Sequence, residues 1–512
     1  MAIKHQIVVE KELKKNKACL GEDLVNVIIK SDLKCSKDNA RKIISRMTKE
    51  GKIKSSRPIK FGNNQYAYVS LKEKCDYETL KDLIARKKPK LFRVIKALKR
   101  DNGILTKHEL INISGCVSEK KGNNLVYDEI ISDLENLSMI SKTKYKNIEF
   151  IFFNYVETKD LITRFEEKIE KLEKENIAYM STINWLKKIN LIQKDDTVYF
   201  QGNKNNFYLV KNFTTWDIFG LSNTVGFCNK NIPSTLVLID FKMCQPYEEI
   251  DYEGFYDRVN MCINSTKNEQ RKVLPIIVAN EISPYVLNKI KKNKYLILDL
   301  NSIIGSNFLN IVDRFHTITK KFENSNTLEI QELSDALELM KTVNQENIGN
   351  LKGKLFEYLM YEVFQKIYNE KTDIVKHAKV FPEKNKKYEC DIFVETEEEV
   401  ICIELKAYKT GSVIYLGKFD EELGEYPKDT INWFLNGVVK CCKEIYKNNK
   451  RVKFCYITTA SFEKDVVKFF SSQKKDVPQK VKCYYEGEEL INLLEEHHCK
   501  NEVDLIKQFY IT

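Results

Sequence analysis

The chain has 512 residues, 43% of them hydrophobic and 31% charged, and a formal net charge of +11. That composition describes a soluble, globular protein of about two to four domains. No apolar run has the length needed to cross a bilayer, and the start, MAIKHQIVVEKELKK, lacks a signal-peptide core, so a cytoplasmic protein free of the membrane is expected.

The 14 cysteines are irregularly spaced with no CxxC pair, which predicts reduced core thiols rather than a disulfide framework. Cys483, His497, His498 and Cys499 form the one local metal-like group. Without tightly paired ligand spacing they read as a helix end rather than a zinc site. The positive charge is concentrated: residues 1–110 hold 28 Lys and Arg against 13 Asp and Glu, which leaves the rest of the chain slightly acidic. A local basic excess suits a polyanion, although a Lys- and Asn-rich composition produces the same count.

In chain order, LGEDLVNVII reads as a helix and CSKDNARKIISRMTKEG as a second, with Ser36 as N-cap and Gly51 at its end. Two short strands, GKIKSS and NQYAYVS, follow across the turn in IKFGNN. Two helices and a basic hairpin are the pattern of a winged helix, assigned to residues 1–75. Its DNA-facing candidates are Arg41, Lys42, Arg46 and Lys49 on the second helix, with Lys52 and Lys54 at the wing. The order recurs over 88–156, as helices PKLFRVIKALKRDNG, TKHELINISG and NLVYDEIISDLENLSMI and the hairpin SKTKYKNIEFIFFNYV. The third helix of this second winged helix carries Asp128, Glu129, Asp133 and Glu135, which repel phosphates, so packing or dimerisation is its expected role.

Residues 158–192 read as one long charged helix with Leu161, Phe165, Ile169 and Leu172 on a stripe, expected to pack on the next domain. Strands then alternate with helices: TVYFQG, FYLVKNF, TWDIFG and STLVLIDFKM precede the helix YEGFYDRVNMCINS. The strand KVLPIIVAN, the helix SPYVLNKIKKN and the strand YLILDL complete an α/β domain over 158–305. Residues 306–345 read as helices and a polar connector containing FENSNT. A last domain, 346–512, runs from the helix LKGKLFEYLMYEVFQKIY through two strands to KDTINWFLNGVVKCCKEIY, KFCYITTA, EKDVVKFFSSQ and KVKCYY. The fold class expected is therefore multidomain α/β plus α+β: two winged helices, then two mixed-sheet α/β domains.

The most specific stretch is CDIFVETEEEVICIELKAY, residues 390–408. If VETEEE bends a hairpin, Asp391 on one strand and Glu404 on the next converge, and Lys406, two residues on, shares the face of Glu404. Such a cluster is costly to desolvate unless a cation or a phosphate completes it. Two carboxylates suit Mg²⁺ or Mn²⁺, and a lysine beside them suits hydrolysis of a phosphodiester. The segment resembles the PD-(D/E)XK superfamily of restriction-endonuclease-like nucleases, over roughly residues 345–495: an acidic residue, an apolar strand, then Glu-x-Lys. The hairpin pattern places Asp391, Glu404 and Lys406 in one cluster at the edge of a mixed sheet, and the resemblance implies that they are a catalytic trio, with a metal on Asp391 and Glu404 and Glu357 in the preceding helix as a further candidate ligand. Cys390 stands where the motif has proline.

Asp217, Asp240 and Lys242 repeat the arrangement over about 195–305, as a second candidate site, a degenerate copy or a coincidence. No glutamate-bearing helix of the GKLFEY type precedes them at the same spacing, which argues for degeneracy. The reading that results is a Mg²⁺-dependent DNA endonuclease of restriction or phage-defence type, acting on double-stranded DNA, with a homodimer as a further expectation. The alternatives are a non-catalytic winged-helix DNA-binding regulator and a partner-dependent RNA or DNA effector that uses the nuclease folds as scaffold. IGNLKGKL misses the phosphate-loop spacing, so ATP-driven translocation by this chain is not expected.

Overall fold

The structure, a computed structural model, describes residues 2–31, 35–62, 64–117, 126–193, 199–200, 209–210, 214–224, 234–267, 270–305, 307–325, 327–341, 349–383, 386–408, 411–419, 421, 426–427, 430–446, 449–473 and 475–511. The chain divides into two compact units, Met1–Ile303 and Ile304–Thr512. Among the described residues no helix is long and apolar enough to cross a membrane. The described cysteines are free thiols, most of them buried.

The first unit opens with α1 (Ala2–Asn16), β1 (Ala18–Leu20), α2 (Gly21–Lys30), α3 (Lys37–Lys49), β2 (Ile53–Ser55) and β3 (Ala67–Ser70). The Ser36 hydroxyl accepts the Asn39 N–H at 3.3 Å and starts α3, satisfying one of the donors a helix leaves unpaired at its first turn. Ala40, Ile44 and Met47 fall on one face of α3 and pack with Val9, Leu13, Leu24 and Ile28. Each large side chain buried in this way contributes about 1.5–3 kcal/mol. β1 and β2 both pair antiparallel with β3. The three-residue β1 was not foreseen; ACL is too short to show a period.

The same order follows again: α4 (Tyr77–Lys87), α5 (Pro89–Arg100), β4 (Ile104–Thr106), α6 (Lys107–Ser114), α7 (Tyr127–Asn136), β5 (Ile140–Tyr145) and β6 (Ile148–Phe153). Here too the first and second strands, β4 and β5, flank the third, β6. A reciprocal cap starts α6, with Thr106 and Glu109 each bonding the other's backbone N–H. α8 (Thr158–Lys188) then spans two layers. Its first half packs Phe165 and Ile169 on Ile104 and Phe150 of the preceding module, and further along Tyr179 meets Phe241 edge-on at 4.6 Å. It is a packing helix, and it packs on both sides.

After α8 come β7 (Tyr199–Phe200), the short pair β8 (Leu209–Val210) and β9 (Thr214–Thr215), then β10 (Ile218–Ser222), β11 (Thr235–Lys242), α9 (Glu249–Thr266), β12 (Val273–Ala279), α10 (Pro284–Lys292), β13 (Leu296–Asp299) and α11 (Leu300–Ile304). The sheet runs β7-β10-β11-β12-β13. The β7–β10 and β10–β11 pairs are antiparallel, and the β11–β12 and β12–β13 pairs are parallel, the helices serving as crossovers.

The second unit begins with α12 (Phe308–Ser325), α13 (Ile330–Lys341) and α14 (Gly349–Ile367). Much of FENSNT, read as connector, is the last turn of α12. The sheet strands are β14 (Ile374–Glu383), β15 (Lys386–Glu395), β16 (Glu399–Lys406), β18 (Arg451–Thr458) and β20 (Tyr484–Glu486), with β17 (Val413–Ile414) and β19 (Ser461–Phe462) paired apart. Between them run α15 (Ile431–Phe434), a π-helical turn at Leu435–Val439, α16 (Lys440–Tyr446) and α17 (Lys464–Ser472), and α18 (Gly487–Glu496) and α19 (Lys500–Phe509) close the chain. The order β14-β15-β16-β18-β20 is again antiparallel, antiparallel, parallel, parallel. Each unit therefore holds one mixed sheet of the same topology, entered from a long helix. The molecule is mixed α/β, with several mixed or antiparallel sheets.

Candidate active site and its counterpart

In the second unit, β15 and β16 pair in a register that sets Ile392 opposite Ile403. One position further along, Asp391 faces Glu404, and both leave the sheet on the same side. The Leu405 N–H donates to Asp391 Oδ2 at 2.8 Å, fixing the carboxyl's aim through the backbone. Lys406, on the side of Glu404 by the two-residue period, places its ammonium 2.9 Å from Glu404 Oε1. The expected trio comes together, at the C-terminal end of the central strand rather than on an edge strand.

The helix before the sheet adds to it. Glu357 of α14 is held by the Lys354 ammonium and by His377 Nε2 of β14, the latter at 3.3 Å. Burial pushes the Asp391 carboxyl well above its ordinary value, Glu404 and Glu357 push further by like-charge repulsion, and Lys406 opposes them. Burial also raises Glu357, but His377 and Lys354 outweigh it and hold that carboxyl below its ordinary range. Sequence reasoning missed Lys354 and His377. The i,i+3 spacing of Lys354 and Glu357 was the available signal for the first; a histidine inside an ordinary strand gave none for the second.

Among the described residues no group of three His, Cys, Asp or Glu side chains is disposed to hold one metal ion. The donors that converge are two carboxylates, Asp391 and Glu404. One or two carboxylates are the share a protein commonly gives to Mg²⁺, which keeps waters and substrate oxygens as its other ligands. The crowding that raises Asp391 is also what a cation would relieve, so the donor set fits a hard divalent ion.

The first unit repeats the geometry. Ile218 pairs with Ile239, so Asp217 faces Asp240, and the Phe241 N–H donates to Asp217 Oδ2 at 2.8 Å. The surroundings differ. Asp217 Oδ1 lies 2.9 Å from His108 Nε2 and accepts from Asn112 Nδ2 at 2.8 Å, both on α6. Asp240 accepts from the Arg258 guanidinium at 2.7 Å and from the Tyr247 hydroxyl at 2.8 Å. Lys242 turns to Asp251 at 3.5 Å, which also binds Arg100. Gly254 permits this closure: a Cβ there would stand 2.4 Å from the Asn112 carbonyl oxygen, so only glycine lets α9, with Arg258, lie directly on α6.

Burial raises Asp217, but the His108 hydrogen bond and the His108 and Arg258 charges outweigh it, so the carboxyl lies below its ordinary value. Burial pushes Asp240 up to about 6, against Arg258 and with Asp217. α8 carries Glu175, buried and pushed up to about 7 chiefly by that burial, in the wall of the same cavity of ≈ 40 Å³ as Asp217, Asp240 and Lys242. A glutamate-bearing helix thus precedes this sheet as well, at a longer spacing than that of Glu357 from Asp391.

The basic residues of the N-terminal module divide into three groups. Arg41 and Lys49 line a groove between α3 and the β2–β3 hairpin. Lys42 and Arg46 are exposed and do not line that groove, although they lie on the same side of α3 as Lys49, about 20° and 60° round the helix from it. Lys52 pairs with Glu50, and Lys54 caps the carbonyls of Leu71 and Glu73 at 2.8 and 2.9 Å, a structural use of a residue expected to face DNA. No protein-family model, curated protein or solved structure matches the chain.

Proposed function

We propose that the second unit is a Mg²⁺- or Mn²⁺-dependent endonuclease, and that residues 1–75 form a winged helix that brings it to double-stranded DNA. The observation that carries the reading is the convergence of Asp391, Glu404 and Lys406 on one face at the end of β16. Asp391 and Glu404 would hold the cation, with Glu357 positioned by Lys354 and His377 behind them. When bound, the cation supplies Lewis-acid stabilisation and a more acidic water.

The chain's own residues supply the rest. Leu405 N–H keeps one lone pair of Asp391 Oδ2 occupied, so Oδ1 is the oxygen that would serve a cation. Lys406, paired with a carboxylate, is an ammonium and therefore a donor only. It orients the attacking water and offsets charge on the scissile phosphate rather than taking a proton. Water adds to phosphorus, the ester P–O bond breaks, and the water proton passes to solvent as the alkoxide leaves protonated.

The first sheet is proposed as the degenerate copy. Its two aspartates are satisfied by Arg258, His108, Asn112 and Tyr247, and its lysine is drawn off to Asp251. The test is incubation of the purified chain with supercoiled plasmid. Nicking or linearisation with Mg²⁺ or Mn²⁺, none with EDTA and none by Lys406→Ala, is the expected result. A protein that shifts the plasmid on a gel but leaves it intact with either cation would favour the DNA-binding regulator instead.

A further inference from the structure

The N-terminal module holds a groove of ≈ 320 Å³ that neither Lys42 nor Arg46 lines. That volume suits a small ligand. Apolar Val25 and Ile44 reach it from α2 and α3, and Tyr66 and Tyr68 reach it from the hairpin. Tyr68 fits closely because position 21 is glycine; a Cβ there would meet its ring at 3.2 Å.

The wall is cationic. Lys37, Arg41, Lys49 and Arg57 line it, and the Arg57 guanidinium lies over the Tyr66 ring, 4.8 Å from its centre. Glu22, the carboxylate among the lining residues, is engaged by Lys37 at 3.4 Å and by Gln65 Nε2 at 2.8 Å. Only an amide N–H₂ can donate to that carboxylate, so the orientation of Gln65 is fixed by chemistry. Its Oε1 is then buried in the groove wall and accepts no hydrogen bond from the described residues. Aromatic rings with three guanidinium or ammonium groups beside them, Arg41, Lys49 and Arg57, are complementary to one kind of ligand.

We infer that the groove binds a single unstacked nucleotide: the base against Tyr66 and Tyr68, and its phosphate on Arg41, Lys49 and Arg57. Stacking on an aromatic side chain contributes about 1–3 kcal/mol per base and tolerates any base. The nucleotide is either free or part of a single strand. The inference rests on reading this module as a nucleic-acid binder, and not on cleavage by the second unit.

The experiment uses the full chain and a short single strand carrying 5-iodouracil. Irradiation should attach the strand at Tyr66 or Tyr68 in peptide maps. By anisotropy, Arg57→Gln and Tyr66→Ala should each weaken single-strand binding about tenfold, while duplex binding changes less. Arg57 is exposed and Tyr66 half-buried, so both variants should keep the wild-type melting temperature. Displacement of the strand by micromolar ATP or dTMP identifies the free nucleotide as the occupant; resistance to both identifies the strand. Adducts found only outside residues 21–68, or variants that bind single strands like the wild type, would overturn the proposal. Lys406→Ala should crosslink normally, so a failure of the cleavage reading is seen separately.

Discussion

Asp217 and Asp391 occupy one position in two sheets of one topology, each bonded at 2.8 Å by the N–H that follows the facing acid. Yet their carboxyls are driven in opposite directions. Asp217 lies below its ordinary value because His108 and Arg258 outweigh its burial, whereas burial, Glu404 and Glu357 hold Asp391 far above. The backbone is common to both; the neighbours decide. A guanidinium from the next helix turns a pair of acids into a structural ion pair, while a pair crowded by a third carboxylate is left with charge that a cation would relieve.

The largest expected effect separates the two lysines. Lys406→Ala should lower cleavage by on the order of 10³-fold or more while DNA affinity stays close to wild type, because in the proposed reading phosphate contacts elsewhere would supply the affinity. Lys242→Ala should change the cleavage rate less than about threefold. If the two variants exchange these phenotypes, the chemistry belongs to the first sheet. Equal loss of binding and cleavage in Lys406→Ala would make it a phosphate anchor instead.

Next in size is the ion pair itself. Arg258 is 1% exposed, so Arg258→Ala leaves Asp240 buried without its cation and should cost about 3–5 kcal/mol in urea denaturation. Combining Arg258→Met with Asp240→Leu should recover most of that loss, since a buried pair can be exchanged for apolar groups of similar volume. A single variant as stable as wild type would mean that Arg258 is not what neutralises the first sheet.

Glu175 gives the third. Its folded-state value of about 7 exceeds the ordinary 4.5, so the native state holds a proton that the unfolded chain releases, and stability falls as pH rises from about 4.5 through 7. Glu175→Gln should therefore stabilise the chain at pH 8 by up to about 3 kcal/mol and hardly at all at pH 4. Denaturation curves at the two pH values decide it; a gain independent of pH would place Glu175 outside the buried cluster.

The smallest effect extends the comparison to the helical modules, where α3 is basic and α7 acidic. Replacing Lys42 and Arg46 together by Ala should flatten the slope of log K against log salt by about two for duplex DNA. An unchanged slope would assign that face to solubility or to a protein partner.

Much of this organisation was legible because it rests on local signals. Ser36 and Gly51 bound α3, apolar runs either side of the acidic VETEEE bend marked β15 and β16, and the two-residue step from Glu404 to Lys406 fixed their shared side. What escaped were features made by distant chain. β1 and β4 are three residues long and exist only because β3 and β6 pair with them. Arg258, His108 and Asn112 lie 18, 109 and 105 positions from the acids they bind, and nothing local in GFYDRV or TKHELIN announces it. Lys54 looked like any wing lysine until its carbonyl partners were in view.

The amide that holds each first aspartate carries a wider lesson about reading such chains. A main-chain N–H is present whatever residue occupies the position, proline excepted, so this joint survives almost any substitution around it. An aspartate followed on the neighbouring strand by acid-x-lysine therefore records a way of joining two strands before it records a reaction. A pattern search will return quenched and reactive versions alike, and telling them apart requires knowing which side chain arrives from the crossover helix.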